Sequence, residues 1–404
     1  MSIKKDWEMK RLGEVCDTGA GGTPLKSHGE YYLNGDIPWL RSGEVCDKNI
    51  ENSELYITKE GLNNSSAKIF PVNTVLIAMY GATAGQVGIL KFESSTNQAV
   101  CGIFPNNKIV PEFLYYYFSY GKENLVKQAV GGAQPNISQE KIRNTKIPVL
   151  STLEQKRIVG VLDGKFAGIG ELKKIAEEQL ASAKELFESR LNEVFENENK
   201  KWIQSTLKDL TIKIGSGATP RGGKKAYKNE GISLVRSLNV HDSNFKYNKL
   251  AYIDNQQADK LNNVTLQKSD VLLNITGASV ARCCVVPEDV LPARVNQHVS
   301  IIRPKMDIIV SGFLQSLLVS QKYKKQLLGI GEDGGSTRQA ITKVQIEDFV
   351  VLYPEDMKEQ KQIVKELDEL SEKTKALEVI FRRKITSLEE LKKSYLQEAF
   401  AGKL

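Results

Sequence analysis

The chain is one plan written twice, and that duplication limits its fold more than any other feature. "GAGGTPLKSHGEYY" begins at Gly19, and "GSGATPRGGKKAYK" writes the same loop again at Gly215, roughly 196 residues later. Gly19, Gly21, Thr23 and Pro24 answer to Gly215, Gly217, Thr219 and Pro220, and Trp7 answers to Trp202. "IPWLRSGEV" (37–45) returns as "ISLVRSLNV" (232–240), and "MYGATAGQVGI" (79–89) as "ITGASVARCCV" (275–285). Asn97-Gln98 pairs with Asn296-Gln297, Gly131-Gly132 with Gly334-Gly335, and "EQKRIVGVLD" (154–163) with "EQKQIVKELD" (359–368). The order is kept throughout. A period this long excludes a solenoid and points to two duplicated domains.

Each half divides into an irregular part and a helical part. "NTVLIAMYG" and "SDVLLNITG" are β-prone runs closed by glycine. "PEFLYYYFSYGKENLVKQAV" and "SGFLQSLLVSQKYKKQLLGI" each predict one helix. Residues 1–153 and 201–356 are therefore read as α/β modules, and 154–200 and 357–404 as long helical segments.

In the last segment Ile363, Leu367, Leu370, Thr374, Leu377, Phe381, Leu388, Leu391 and Tyr395 keep a heptad spacing, with Lys384 as the polar break. Ile158, Leu162, Phe166, Ile169, Leu172, Ala176, Leu180, Ala183, Phe187, Leu191 and Val194 make the seam of the first. Gly160, Gly164, Gly168 and Gly170 predict a kink or weak turn near its start. Such a helix is ~60 Å long. Its apolar stripe is too long for one module to cover, so the two helices are expected to pair as a coiled coil with a module at each end. The "PEDMKEQK" stretch, with acids and an E-x-K, reads as a helix start, Asp356 capping and Glu359 closing a capping box.

The chemistry of an enzyme is missing. "GAGGTPLKS" lacks the Gly-Lys-Ser/Thr of a phosphate loop, because Pro24 and Leu25 stand there. Gly-x-Gly followed by Thr-Pro reads instead as a turn whose glycines supply positive φ. Neither a base-methylation Asn-Pro-Pro-Tyr stretch nor a Ser-His-Asp or Cys-His grouping stands out. Five scattered cysteines without a CxxC pair fit a reducing compartment. No apolar run is long enough to span a membrane and the start lacks a secretory signal, so a cytoplasmic chain is expected. The formal net charge is +7, and residues 201–356 hold +6 of it. A basic excess of this kind suits a polyanion. Two modules on a rigid spacer suit two stretches of one duplex, since ~60 Å is a little under two helical turns of DNA.

The motifs "GGTP" and "GATP", "IPWLRSGEV", "YGATAGQVGI", "NQAVCGIFP", "GGAQPNISQEKIRNTKIPVLSTLEQKRIVGVLD" and "LKKSYLQEAFAGKL" together resemble the specificity subunit of type I restriction–modification enzymes. The resemblance covers nearly the whole chain. It implies an α/β fold class of two duplicated target recognition domains, joined by two long helices as an antiparallel coiled coil with pseudo-two-fold symmetry. It implies a non-catalytic subunit that reads a bipartite, asymmetric double-stranded DNA target methylated on adenine. The implied partners are methyltransferase subunits, two of them, docked on the coiled coil, and translocating restriction subunits. Any S-adenosylmethionine, ATP and magnesium would be held by those partners, with no cofactor or metal in this chain. "GGSTRQAIT" keeps a Gly-Ser-Thr that "GGAQPNIS" lacks, and "ARCC" replaces "GQVG".

Residues shared by both copies cannot carry a difference between two half-sites, so they belong to scaffold or phosphate contact. Arg41 and Arg236 are such a pair. Base readers are sought among polar residues that differ between copies and lie in glycine-framed loops. In the first module these are Lys26, Ser27, His28, Tyr80, Thr83, Gln86, Gln134 and Asn136. In the second they are Arg221, Lys224, Lys225, Thr276, Ser279, Arg282, Arg338 and Gln339. Arginine suits guanine, and asparagine or glutamine suits adenine.

Overall fold

The computed structural model describes every residue except 1–3, 5, 47, 128–135, 197–200, 221, 223–225 and 333–339. It divides into two compact units: residues 1–177 with 382–404, and residues 178–381.

The first unit is built on the strands β1 (Thr18–Ala20), β2 (Asn49–Ile50), β3 (Val75–Ala78), β4 (Val87–Leu90) and β5 (Val100–Ile103), in the order β1-β5-β3-β4-β2. Only the β2–β4 pairing is parallel. β3 is buried at all four positions, which is why "VLIA" reads as a continuous apolar run. Its side chains still alternate: Val75 and Ile77 join one core with helix α1 (Pro111–Lys127), while Leu76 and Ala78 join another on the opposite face. A smaller sheet sets Ile37–Leu40 between Tyr56–Ile57 and Ser95–Thr96. Helix α2 (Thr152–Glu196) begins in this unit and ends in the second.

The second unit repeats the scheme with β6 (Thr211–Ser216), β7 (Val271–Asn274), β8 (Cys283–Val285) and β9 (Val299–Pro304), in the antiparallel order β6-β9-β7-β8. Ile232–Val235 again lies between an antiparallel neighbour, Ala251–Ile253, and a parallel one, Ala293–Val295. A hairpin, Val240–His241 with Asn244–Phe245, occupies the stretch that corresponds to β2. The run after Val310 is two helices, not the single one its sequence predicts: α3 (Ser311–Val319) and Gln321–Glu332. The break is Ser320, whose backbone turns extended and whose carbonyl accepts from Lys324 N at 2.9 Å. The last helix, α4 (Met357–Phe400), runs from the second unit into the first.

Within each unit α2 and α4 pack antiparallel, as rising numbers in one meet falling numbers in the other. In the first unit Lys173 pairs with Glu389 at 2.7 Å, Lys165 lies over the Tyr395 ring and Lys392 over Phe166. In the second, Arg190 reaches Glu366 at 3.4 Å. Ile158, Leu162, Ile169, Ala176, Ala183, Leu191 and Val194 of the α2 seam are buried, but Leu172 is 46% exposed. On α4 the seam drifts: Leu367, Thr374 and Leu388 are buried, Leu377 and Leu391 are 38% exposed, and burial passes to Leu396, Ala399 and Phe400. A straight helix of 3.6 residues per turn drifts about 20° per heptad against a strict heptad repeat. Helix α2 also runs unbroken through the stretch where a kink or weak turn is expected. Gly160, Gly164, Gly168 and Gly170 face open space, and seam packing outweighs their low helix propensity.

The two helices are fixed to the modules by the same device. Gln155, fully buried, accepts from Val110 N at 2.8 Å and donates to the carbonyls of Lys108 and Leu150, both at 2.9 Å. Gln360 does the same to Val310 N, Ile308 O and Pro354 O at 2.8, 2.9 and 2.9 Å. Asp356 caps α4 by accepting from Lys358 N at 2.8 Å, but Glu359 does not close the expected capping box and instead accepts from the Trp202 indole at 2.9 Å. The far ends are anchored by aromatic rings. Phe195 packs against Phe313 and Trp202, and Phe400 against Phe113, Tyr117 and Tyr120. Gln155→Leu strands one buried N–H and two carbonyls and is expected to cost about 3 kcal/mol. Urea unfolding followed by circular dichroism measures it, and an unchanged midpoint contradicts the clamp.

Candidate nucleic-acid interface

The strand register gathers the glycine-framed loops at one end of each main sheet. In the first unit Ala20 pairs with Cys101 and Ala78 with Val100, so the loops after β1, between β3 and β4, and before β5 leave the same end. Asn136 joins them through a bridge to Tyr80, and Ile137 N donates to Met79 O at 2.9 Å. Arg41 joins them because Asn97 N donates to Leu40 O at 2.8 Å. The second unit matches this contact for contact. Ser216 pairs with Ser300, Asn274 with Val299, Thr276 bridges Ala340, and Asn296 N donates to Val235 O at 3.1 Å.

What holds the loops is the part common to both copies. The Thr23 hydroxyl donates to Gln98, and the Thr219 hydroxyl to Gln297. Asn97 and Asn296 cap their own turns, accepting from Ala99 N at 3.2 Å and His298 N at 3.0 Å. The first unit adds a bond of its own, the Trp39 indole donating to Gly22 O at 2.9 Å, where the second copy has Leu234 and Ala218. The loop glycines do not serve as positive-φ residues, contrary to the turn expected from Gly-x-Gly; none of Gly19, Gly21, Gly215 and Gly217 has positive φ. Gly21, Gly22 and Gly217 are small because backbone passes close by, while Gly19 faces the Phe104 ring and Gly215 open space. A Cβ on Gly21 would lie 2.2 Å from Thr96 O, one on Gly22 2.2 Å from Ala67 N, and one on Gly217 1.8 Å from Val295 O. The Thr–Gln lock escaped sequence reasoning, although its signal was there: both members recur together, 75 residues apart in one copy and 78 in the other.

The variable side chains sit on this scaffold. Lys26, Ser27 and His28 are exposed; His28 Nδ1 is 2.7 Å from Glu30, and its ring stacks on Tyr31. Tyr80 and Asn136 are exposed, and Thr83 and Gln86 half-buried. In the second unit Thr276, Ser279 and Arg282 are half-buried. Thr276 Oγ1 is 2.5 Å from His298 Nδ1, and Arg282 Nη1 is 3.5 Å from His241 Nδ1. Burial, then the charges of Lys246 and Arg282, push His241 below its ordinary pKa. Gln134, Arg221, Lys224, Lys225, Arg338 and Gln339 lie outside the described residues.

The shared arginines differ in their partners. Arg41 pairs with Glu54 at 2.8 Å and, more loosely, with Glu44 at 3.8 Å. Arg236 donates to the Lys249 carbonyl and lies 5.0 Å over the Tyr227 ring. Burial pushes the thiols of Cys101 and Cys284 up to about 12, so neither supplies a thiolate nucleophile at neutral pH. Among the described residues no group of three His, Cys, Asp or Glu side chains gathers to hold a metal, and no helix is long and apolar enough to cross a membrane.

Two copies of one loop-bearing sheet edge, linked by paired helices, define the class of protein. Residues 4–180 and 185–386 each match the family described as the type I restriction modification DNA specificity domain, and the chain belongs to that family. The EcoR124I/EcoR124II specificity subunit of Escherichia coli is 32% identical over 161 residues, covering 39% of this chain and 40% of that protein. The MjaIX specificity subunit of Methanocaldococcus jannaschii is 31% identical over 254 residues, 58% of each chain. These two matches therefore span about half the length of those relatives. The MjaVIII specificity subunit of the same organism is 24% identical over 420 residues, spanning all of this chain and 94% of that one. The fold is shared over both full lengths with a solved chain from a study of complex assembly and conformational transition of the type I R-M system, at TM-score 0.79 and 21% identity. It is shared with the HsdS subunit of Thermoanaerobacter tengcongensis at TM-score 0.59 and 20% identity, covering 100% of this chain and 98% of that one.

Gly217→Ala is expected to destabilise the second unit by about 1–3 kcal/mol through overpacking, whereas Gly215→Ala, with nothing within 4 Å, is nearly neutral. Thermal unfolding of the two variants side by side tests the close-approach reading; equal melting points contradict it.

Proposed function

We propose that this chain is the non-catalytic DNA-specificity subunit of a type I restriction–modification complex. The observation that carries the reading is the repeated sheet edge, with a constant Thr–Gln scaffold under a variable set of polar side chains. Shared residues fix the edge on the duplex, and unshared ones read bases in the groove. Each unit reads one half of a bipartite, asymmetric target. The paired helices set the gap between the halves and dock two methyltransferase subunits, and restriction subunits complete the complex. Adenine methylation with S-adenosylmethionine, and ATP- and magnesium-dependent translocation and cleavage, belong to those partners. Membership of the specificity-domain family supports this assignment. The expected location is the cytoplasm, where the DNA to be marked lies.

Two outcomes test the reading in cells carrying the complex, by genome-wide mapping of adenine methylation. Arg282→Ala relaxes one half-site and leaves the other unchanged; an unchanged target at full efficiency dismisses Arg282 as a reader. One extra helical turn in both α2 and α4 widens the gap between half-sites, and an unchanged gap removes the helices from the measuring role. The turn is best inserted away from Gln155 and Gln360, since both are buried clamps and a change beside them would loosen the module itself.

A further inference from the structure

The loop after the shared arginine is built alike in both units and carries opposite charge. Arg41 Nη2 bonds the residue thirteen positions on, Glu54, through its carboxylate. Arg236 Nη2 bonds the residue thirteen positions on, Lys249, through its backbone carbonyl. The turn itself is held by Glu44 in the first unit, which accepts from Arg41 N at 2.8 Å and Glu54 N at 2.9 Å. The matching residue in the second unit is the neutral Asn239, which accepts from Arg236 N at 3.1 Å and donates to Lys246 O at 2.8 Å. Residues 41–54 hold two cations and four carboxylates, and 236–249 three cations and one carboxylate. The extra cation of the first loop, Lys48, is tied to Asp163 and Tyr116. The one carboxylate of the second, Asp242, is tied to Lys324. Lys246 and Lys249 are exposed, and among the described residues neither they nor Arg236 pairs with a carboxylate.

We propose that the two units grip DNA unequally: Arg236, Lys246 and Lys249 form a phosphate clamp in the second unit, while the corresponding arginine of the first is neutralised by Glu54 and adds no net attraction. The inference rests on the DNA-reading function proposed above and adds a division of labour to it. At this loop the second unit supplies a salt-sensitive, sequence-independent hold that the first unit lacks. Position 54/249 is the switch, acid in one copy and base in the other.

Fluorescence anisotropy with the full-length chain and a mixed-sequence duplex of about 40 base pairs, titrated from about 50 to 300 mM KCl, reads the clamp as the slope of log affinity against log salt. Each lost phosphate contact lowers that slope by about 0.9. Lys246→Gln and Lys249→Asn each lower it by about that amount; asparagine is used at 249 because the backbone there has φ 59°. Arg41→Gln leaves it unchanged, and Glu54→Lys raises it and tightens binding. Circular dichroism confirms that each variant is folded, and the two exposed lysines carry the test if an arginine variant is not. Equal losses from Arg41→Gln and the second-unit lysines, or no loss from the lysines, overturn the unequal grip while leaving DNA binding intact. No salt-dependent binding by the unsubstituted chain overturns the DNA-reading function and the clamp with it.

Discussion

The structure depends on a glutamine side chain used twice. Gln155 and Gln360 each tie the first turn of a long helix to two carbonyls and one N–H of the module beneath it. That joint fixes the start of each helix to its own module. The glutamine satisfies three backbone groups that would otherwise be buried unpaired, which makes the joint directional as well as strong. At the other end Phe195 and Phe400 sit in aromatic clusters, so each helix is fixed at its start by hydrogen bonds and at its finish by apolar packing.

The joint explains how the chain can vary its surface without losing its fold. The Thr–Gln lock, the close-packed glycines and the asparagine caps are the same in both copies and carry the backbone. The side chains mounted on them differ. Tyr80, Thr83 and Gln86 stand where Thr276, Ser279 and Arg282 stand in the other copy, and Glu54 where Lys249 stands. A constant frame under variable polar groups is the division that readout of two different half-sites requires.

Much of this was legible in the sequence because the chain contains its own comparison. The duplication, the α/β character of the modules and the two long helices follow from matching one half against the other, whereas the gathering of the glycine-framed loops is set by strand register. Sequence pattern and structure part where tertiary packing decides. Gly160 to Gly170 do not break α2, because the seam outweighs local propensity. Ser320 breaks a run whose apolar pattern looked continuous: its backbone is extended, and Gln321 N is taken by Asn192 of α2 at 2.8 Å. Gly21 and Gly217 carry the pattern of turn formers, yet their role is to admit neighbouring backbone, and proximity between distant segments leaves no local trace. Glu359 was assigned to a capping box and is held by Trp202, 157 residues away.

On the function proposed above, the two sheet edges meet one duplex at two separate places. Hydroxyl-radical footprinting of the assembled complex, on the site its methylation pattern identifies, tests this most directly. The account predicts two protected blocks flanking a gap of less protected base pairs, with Lys249→Asn weakening the block of the second unit first. One continuous block, or protection confined to a single half-site, would contradict it.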